Sequence, residues 1–112
     1  MDTSSSTREQ DKNSLIKIIL SHLPNATIYL FGSRARQENS ATSDIDLALD
    51  NGTKIDRFIL SMIKEAIEES HIPFMVDVVD FNSISADLRD QILKDKIVWY
   101  QPHKHSSKNI KS

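Results

Sequence analysis

Two neighbouring stretches of the chain decide its fold: Ile28-Tyr-Leu-Phe-Gly-Ser-Arg-Ala-Arg36 and Ser43-Asp-Ile-Asp-Leu-Ala-Leu49. The first is an apolar run that stops at Gly32-Ser33, and ten residues separate that pair from Asp44. In the second stretch, carboxylates alternate with large apolar residues. Because side chains at positions i and i+2 of a strand point to the same face, this alternation predicts a strand that projects Asp44 and Asp46 together and buries its other side.

The rest of the chain supplies the helices and further strands of a small domain. Asn13 or Ser14 can cap a first helix, and apolar residues recur at helical spacing in the middle of the chain. The core-facing stripe predicted for that middle helix consists of Ile55, Phe58, Ile59, Met62, Ile63, Ala66 and Ile67. The other predicted elements are a short helix over 34–37, strands over 74–79 and 97–100, and a helix capped by Ser83 or Ser85. This order predicts an α/β (α+β) fold with one small mixed sheet covered by helices.

Length and composition exclude several classes of protein. The 112 residues carry a net charge of -2, which gives no sign of direct nucleic-acid binding, and the absence of cysteine excludes disulfides and thiolate metal sites. We predict one domain over 13–100, between a mobile polar leader, 1–12, and a mobile basic tail, 101–112. No apolar run is long enough to span a membrane and no signal-peptide pattern is present, so we expect a cytoplasmic protein.

The Gly32-Ser33 turn is a candidate phosphate-binding site. A glycine at the end of a strand lets the backbone approach a ligand closely, and a helix that begins at Ser33 would direct free N–H groups at a phosphate. Arg34 and Arg36 add positive charge in a geometry suited to phosphate oxygens. The same residues also fit an ordinary strand-ending turn with solvated arginines, so the turn alone does not decide between the two interpretations.

Three acidic residues are candidate ligands for divalent cations. Asp44 and Asp46 offer the oxygen atoms that Mg2+ prefers, although alternation is also typical of a half-exposed strand. Asp77 lies between two valines of the third predicted strand, where a buried carboxylate is costly unless it is paired or bound to metal. Together with the Gly-Ser turn, the three carboxylates favour a two-metal site for phosphate transfer. Asp80 competes with Asp77, but residues spaced by three cannot share a face of a regular strand, so we favour Asp77 and interpret Asp80 as helix-proximal or solvated.

The combined motif is more specific than its parts. Gly32-Ser33, ten intervening residues, Asp44-Ile-Asp46 and then Val76-Asp-Val78 resemble the minimal nucleotidyltransferases of the DNA polymerase β-like superfamily. The resemblance covers roughly residues 14–100. It implies the small α/β core of that superfamily and the transfer of a nucleoside monophosphate, AMP from ATP, to a hydroxyl group.

The resemblance also assigns roles to individual positions. The residues implied to bind the nucleotide are Gly32, Ser33, Arg34 and Arg36, and those implied to be catalytic and to bind metal are Asp44, Asp46 and Asp77. Two Mg2+ ions are implied, which activate the acceptor hydroxyl and neutralise the departing pyrophosphate.

The acceptor of the nucleotide is expected to lie on another protein, because the predicted core fills the chain. The resemblance supplies a candidate partner, a small helical protein of the HEPN class. In some pairs the HEPN protein is an RNase toxin and the nucleotidyltransferase is the antitoxin that adds AMP to a tyrosine of the toxin. In others the helical protein is a substrate-binding subunit, and the sequence leaves both open. A hypothesis of a different class also stands: a non-catalytic binding module that neutralises its partner by occlusion.

Overall fold

A computed structural model of the protein describes residues 9–32 and 45–102. Its elements, in chain order, are α1 (Glu9–His22), β1 (Thr27–Phe31), β2 (Ile45–Asp50), α2 (Arg57–Glu69), β3 (Val76–Asp80), α3 (Ala86–Asp95) and β4 (Ile97–Tyr100). Each of these elements was predicted from the sequence. The short helix predicted over 34–37 lies outside the described residues. No helix within the described ranges is long and apolar enough to cross a membrane.

Several element boundaries differ from the predicted ones; the third strand, predicted over 74–79, spans Val76–Asp80. The first helix begins at Glu9, so residues 9–12, which the sequence assigned to the polar leader, belong to α1. The acidic side chains Glu9 and Asp11 in the first turn favour this earlier start, since they complement the positive end of the helix dipole. Asp44, the first residue of the predicted second strand, lies outside the described residues, which resume with Ile45 at the start of β2.

The four strands form one mixed sheet in the order β3-β2-β1-β4. β1 is antiparallel to both β2 and β4, whereas β2 and β3 are parallel. A parallel pair needs a crossover connection, and α2 provides it between β2 and β3. The predicted mixed α/β sheet is therefore confirmed, and its two central strands are the ones that follow and precede the Gly-Ser turn.

The two faces of the sheet carry different cores. On one face, α1 and α2 pack over alternate strand residues; the fully buried members of this cluster include Leu15, Ile19, Ile28, Ile45, Leu47, Leu49 and Ile63. On the other face, Ala48, Phe81 and Ile92 form a smaller core with residues of α3. Because Asp46 alternates with Ile45 and Leu47, it projects from the face that α3 covers.

The apolar stripe predicted for α2 is only partly buried. Ile63 and Ile67 lie in the core, as predicted, but Phe58 is 73% exposed and Met62 is 39% exposed. Leu60, which the predicted stripe omitted, packs against the core instead. The apolar arc of the helix is thus wider than the surface it packs against, and Phe58 and Met62 lie beyond that contact.

Candidate active site

Two of the three predicted carboxylates lie side by side in the sheet. Asp46 of β2 and Asp77 of β3 are directly paired in the parallel ladder, and Phe31 of β1 is the partner of Asp46 on its other side. Neighbouring strands are about 4.8 Å apart, so paired residues project their side chains from the same face at short range. Asp46 is half-buried and Asp77 is exposed. We call this row of three residues, Phe31, Asp46 and Asp77, the carboxylate row.

Gly32 brings the backbone of the turn against the carboxylate row. Its φ angle is +80°, a left-handed conformation that favours glycine. A Cβ atom at this position would collide with Oδ2 of Asp46 and would lie 3.3 Å from its Cγ atom. Glycine is therefore required here for two independent reasons, backbone conformation and the space taken by the Asp46 carboxylate.

Four predicted site residues lie outside the described part of the chain: Ser33, Arg34, Arg36 and Asp44. Among the described residues, no group of three or more histidine or acidic side chains is arranged to hold a metal ion. Asp46 and Asp77 nevertheless fit a hard cation, because both supply carboxylate oxygens from one face. Their roles in binding metal stay predictions, as do those of the four residues outside.

The Asp80 carboxylate is buried and hydrogen-bonded rather than open to solvent. The side chain is only 5% exposed. Its Oδ2 atom accepts hydrogen bonds from the Ile55 backbone N–H at 2.8 Å and the Ser83 hydroxyl at 2.7 Å. Its Oδ1 atom accepts a third from the Asn82 backbone N–H at 3.0 Å. Of our two interpretations of Asp80, the solvated one is wrong: the carboxylate is buried and joins the segments that lead into α2 and α3.

Asp80 also projects away from the carboxylate row. It is paired with Leu49 of β2, whose side chain is buried in the core beneath α1 and α2. Asp77 is three residues earlier and pairs with Asp46 on the opposite face. The geometry therefore places Asp77, and not Asp80, next to Asp46.

A hydrogen-bond network at the far end of β2 and β3 was not predicted. Asp50 Oδ1 accepts hydrogen bonds from the Gly52 backbone N–H and the Asn82 side-chain amide, both at 2.9 Å. Asn82 in turn donates its backbone N–H to Asp80. The network ties the carboxyl end of β2 to that of β3, and so helps to hold the register that pairs Asp46 with Asp77. No sequence signal links Asp50 to Asn82, a residue 32 positions away.

Packed side chains cover the α3 face of the sheet next to the carboxylate row. The Tyr29 ring meets the Phe81 ring edge to face at 5.5 Å between centroids, and the Lys96 ammonium lies 5.3 Å from the Tyr29 ring centre. Burial raises the pKa of the Tyr29 phenol above its ordinary value, and the nearby Asp50 carboxylate raises it further. This packing covers the middle of the face, whereas Asp77 at its end stays exposed.

The sequence and its geometry agree with a known family. A family model described as "Polymerase beta, Nucleotidyltransferase" matches residues 13–105. The chain belongs to the polymerase beta nucleotidyltransferase family. This nucleotidyltransferase is 33% identical over 97 residues to the "Probable protein adenylyltransferase MntA" of Haemophilus influenzae, a match that covers 86% of the present chain and 85% of the relative.

Solved structures share the fold of this nucleotidyltransferase. A chain in the "Crystal structure of the toxin-antitoxin with AMP-PNP" superposes with a TM-score of 0.70 at 26% identity, over 83% of the present chain and 75% of the other. A chain in the structure of a "tri-AMPylated Shewanella oneidensis HEPN toxin in complex with MNT antitoxin" gives a TM-score of 0.69 at 22% identity, over 90% and 78%. The predicted polymerase β-like fold is therefore confirmed.

Proposed function

We propose that this nucleotidyltransferase is a protein adenylyltransferase, which moves AMP from ATP to a hydroxyl group of a HEPN-class partner and thereby acts as an antitoxin. The observation that carries the proposal is the contact of Gly32 with Asp46, beside Asp77 on the same face. The relatives support the chemistry: one is described as a protein adenylyltransferase, and structures of the same fold contain AMP-PNP or an AMPylated HEPN toxin.

In this proposal the turn binds the nucleotide. The backbone at Gly32 and the hydroxyl of Ser33 bind the triphosphate, and Arg34 and Arg36 add positive charge beside it. Gly32 suits this role because it lacks a side chain where the turn approaches Asp46. The phosphates then lie close to the carboxylates, which brings the α-phosphorus to the carboxylate row.

The three carboxylates Asp44, Asp46 and Asp77 are proposed to hold two Mg2+ ions. When bound, such ions lower the pKa of an attacking hydroxyl and neutralise charge on the leaving group. The carboxylates position both reaction partners: the acceptor oxygen forms a bond to the α-phosphorus, and the bond from that phosphorus to the bridging oxygen of pyrophosphate breaks. The acceptor proton is lost to solvent, and no covalent intermediate on the protein is needed.

The proposal is tested with ATP labelled at the α-phosphate, Mg2+ and a HEPN-class partner protein. We expect label on that protein with the wild type and a loss of at least about 100-fold in rate with Asp46→Asn or Asp77→Asn, since each removes a ligand charge next to the reacting phosphate. Asp90→Asn is the matched control, because Asp90 is an exposed aspartate of α3. It should transfer label like the wild type.

The result also decides between catalysis and occlusion. The wild type could neutralise its partner without labelling it, and the Asp46→Asn and Asp77→Asn variants could neutralise the partner equally well. These two results together would leave only the hypothesis of a non-catalytic binding module. Omission of Mg2+ or addition of a chelator should abolish labelling, and full labelling without divalent cation would refute the proposed metal dependence.

A further inference from the structure

The solvent side of α2 carries four exposed residues in line along the helix. We call them the outer face of α2: Phe58, Met62, Glu65 and Glu69. At 3.6 residues per turn, residues with this spacing lie within about 60° of one another around the helix axis. Ile63 and Ile67, which are buried, lie on the other side of the helix. Because α2 covers the sheet face opposite the carboxylate row, its outer face points away from the proposed site of AMP transfer.

The acidic half of the outer face does not help α2 to fold. The C-terminal end of a helix carries a partial negative charge, which cations stabilise and anions do not. The last turn of α2 contains no basic residue, and the helix ends at Glu69. Side chains at positions i and i+4 of a helix are neighbours, so Glu65 and Glu69 also repel each other. Folding alone would favour neutral or basic residues at both positions.

The other half of the outer face is apolar. Phe58 and Met62 are one turn apart, and they are 73% and 39% exposed. The four residues are spaced alternately by four and three positions, which is the spacing along which one helix packs against another. The outer face therefore has the form of a helix-packing surface, with an apolar half and an acidic half, that no described element covers.

We propose that the outer face of α2 is a docking surface for a helix of the HEPN-class partner. That helix presents large apolar side chains to the apolar half and Lys or Arg side chains to the two glutamates. A second copy of this chain does not fit, because parallel copies would oppose glutamate to glutamate and antiparallel copies would oppose glutamate to apolar side chains. The inference rests on the proposed function for the identity of the partner, and it adds a contact surface separate from the carboxylate row.

The first test removes the largest apolar side chain of the outer face. The dissociation constant of the HEPN-class partner is measured by calorimetry without nucleotide. We expect Phe58→Ala to raise it at least about ten-fold, as loss of a central aromatic contact does. Met75→Ala is the matched control, because Met75 is also a large apolar residue, 74% exposed, and is not part of the outer face. It should bind the partner like the wild type.

The second test separates docking from folding by reversal of one charge. Glu69→Lys places a cation at the negative end of the helix dipole and removes the repulsion with Glu65, so the melting temperature should equal or exceed that of the wild type. The dissociation constant should nevertheless rise about ten-fold at low salt, and by less at high salt, since ions screen the new repulsion. Glu68→Lys changes an exposed glutamate of α2 outside the outer face, and should alter the dissociation constant by less than about three-fold.

The rate of AMP transfer distinguishes a failure of this inference from a failure of the proposed function. Phe58→Ala and Glu69→Lys should retain the wild-type kcat at saturating partner, with a raised KM. A wild type that binds the partner but transfers no AMP contradicts the proposed function alone. The docking surface is overturned if the wild type does not bind the partner, if either variant binds it like the wild type, if the controls lose as much affinity, or if Glu69→Lys lowers the melting temperature.

Discussion

Replacement of Gly32 by alanine tests whether the turn sets the position of the Asp46 carboxylate, and through it the rate of the proposed AMP transfer. The φ angle of +80° costs a non-glycine residue about 1–2 kcal/mol of folding free energy. The added methyl group would also collide with Oδ2 of Asp46. Ordinary van der Waals contact requires about 3.5 Å, so the carboxylate must retreat by about 1 Å. A displacement of that size at a reacting centre can cost about 100-fold in rate.

Gly52 provides a control that separates backbone strain from collision. Its φ angle is +86°, but a Cβ atom there would meet nothing within 4 Å. Gly52→Ala should therefore lose about the same 1–2 kcal/mol of unfolding free energy through strain alone. Only Gly32→Ala should also lose AMP transfer, by about 100-fold.

The assay combines urea unfolding, followed by circular dichroism, with the rate of AMP transfer to the partner under conditions where each variant is folded. The reasoning is refuted if Gly32→Ala retains more than half of the wild-type rate. It is equally refuted if Gly52→Ala loses as much activity as Gly32→Ala, since the loss would then follow strain and not the position of Asp46.

Two further predictions concern stability. Asp80→Asn replaces one acceptor oxygen by a donor amide, so a buried N–H or hydroxyl loses its hydrogen-bond acceptor. We expect urea unfolding to show a loss of about 1–3 kcal/mol in the free energy of unfolding. AMP transfer should be retained at concentrations of urea where the variant is folded. A loss below about 0.5 kcal/mol would contradict the structural role of Asp80. Burial raises the pKa of Tyr29 above 10.0, so the folded state favours its neutral phenol. That stability is present below pH 10, where both states are protonated, and is lost as the pH rises through the folded-state pKa. Tyr29→Phe should therefore flatten the decline in melting temperature above pH 10, and an identical decline in both proteins would contradict the assignment.

The pattern of polar and apolar residues within each strand was enough to predict the candidate carboxylates of the site. The alternation in Asp44-Ile-Asp46 and the position of Asp77 between Val76 and Val78 indicated the candidate carboxylates, and both strands are present. Their mutual register was not predictable from this pattern, because it depends on contacts between segments 31 residues apart. The structure shows the pairing directly.

Features that depend on packing between elements were mispredicted. Asp80 looked like a residue at the open end of a strand, and only the approach of Ile55 and Ser83 gives its oxygens their donors. The helical spacing of the apolar residues in α2 was predicted correctly, but the number of them that are buried was not. That number depends on how much of the helix surface α1 and the sheet cover. Phe58 and Met62 are exposed for this reason.

The short strand β3 carries two carboxylates, Asp77 and Asp80, on opposite faces of the sheet, and a substitution at one would have a different consequence from a substitution at the other. Asp80 stabilises the fold through its buried hydrogen bonds to Ile55 and Ser83. Asp77 is exposed, and its replacement leaves the hydrogen bonds of Asp80 in place. Under the proposed function, a single substitution at Asp77 would therefore abolish AMP transfer and leave the fold intact.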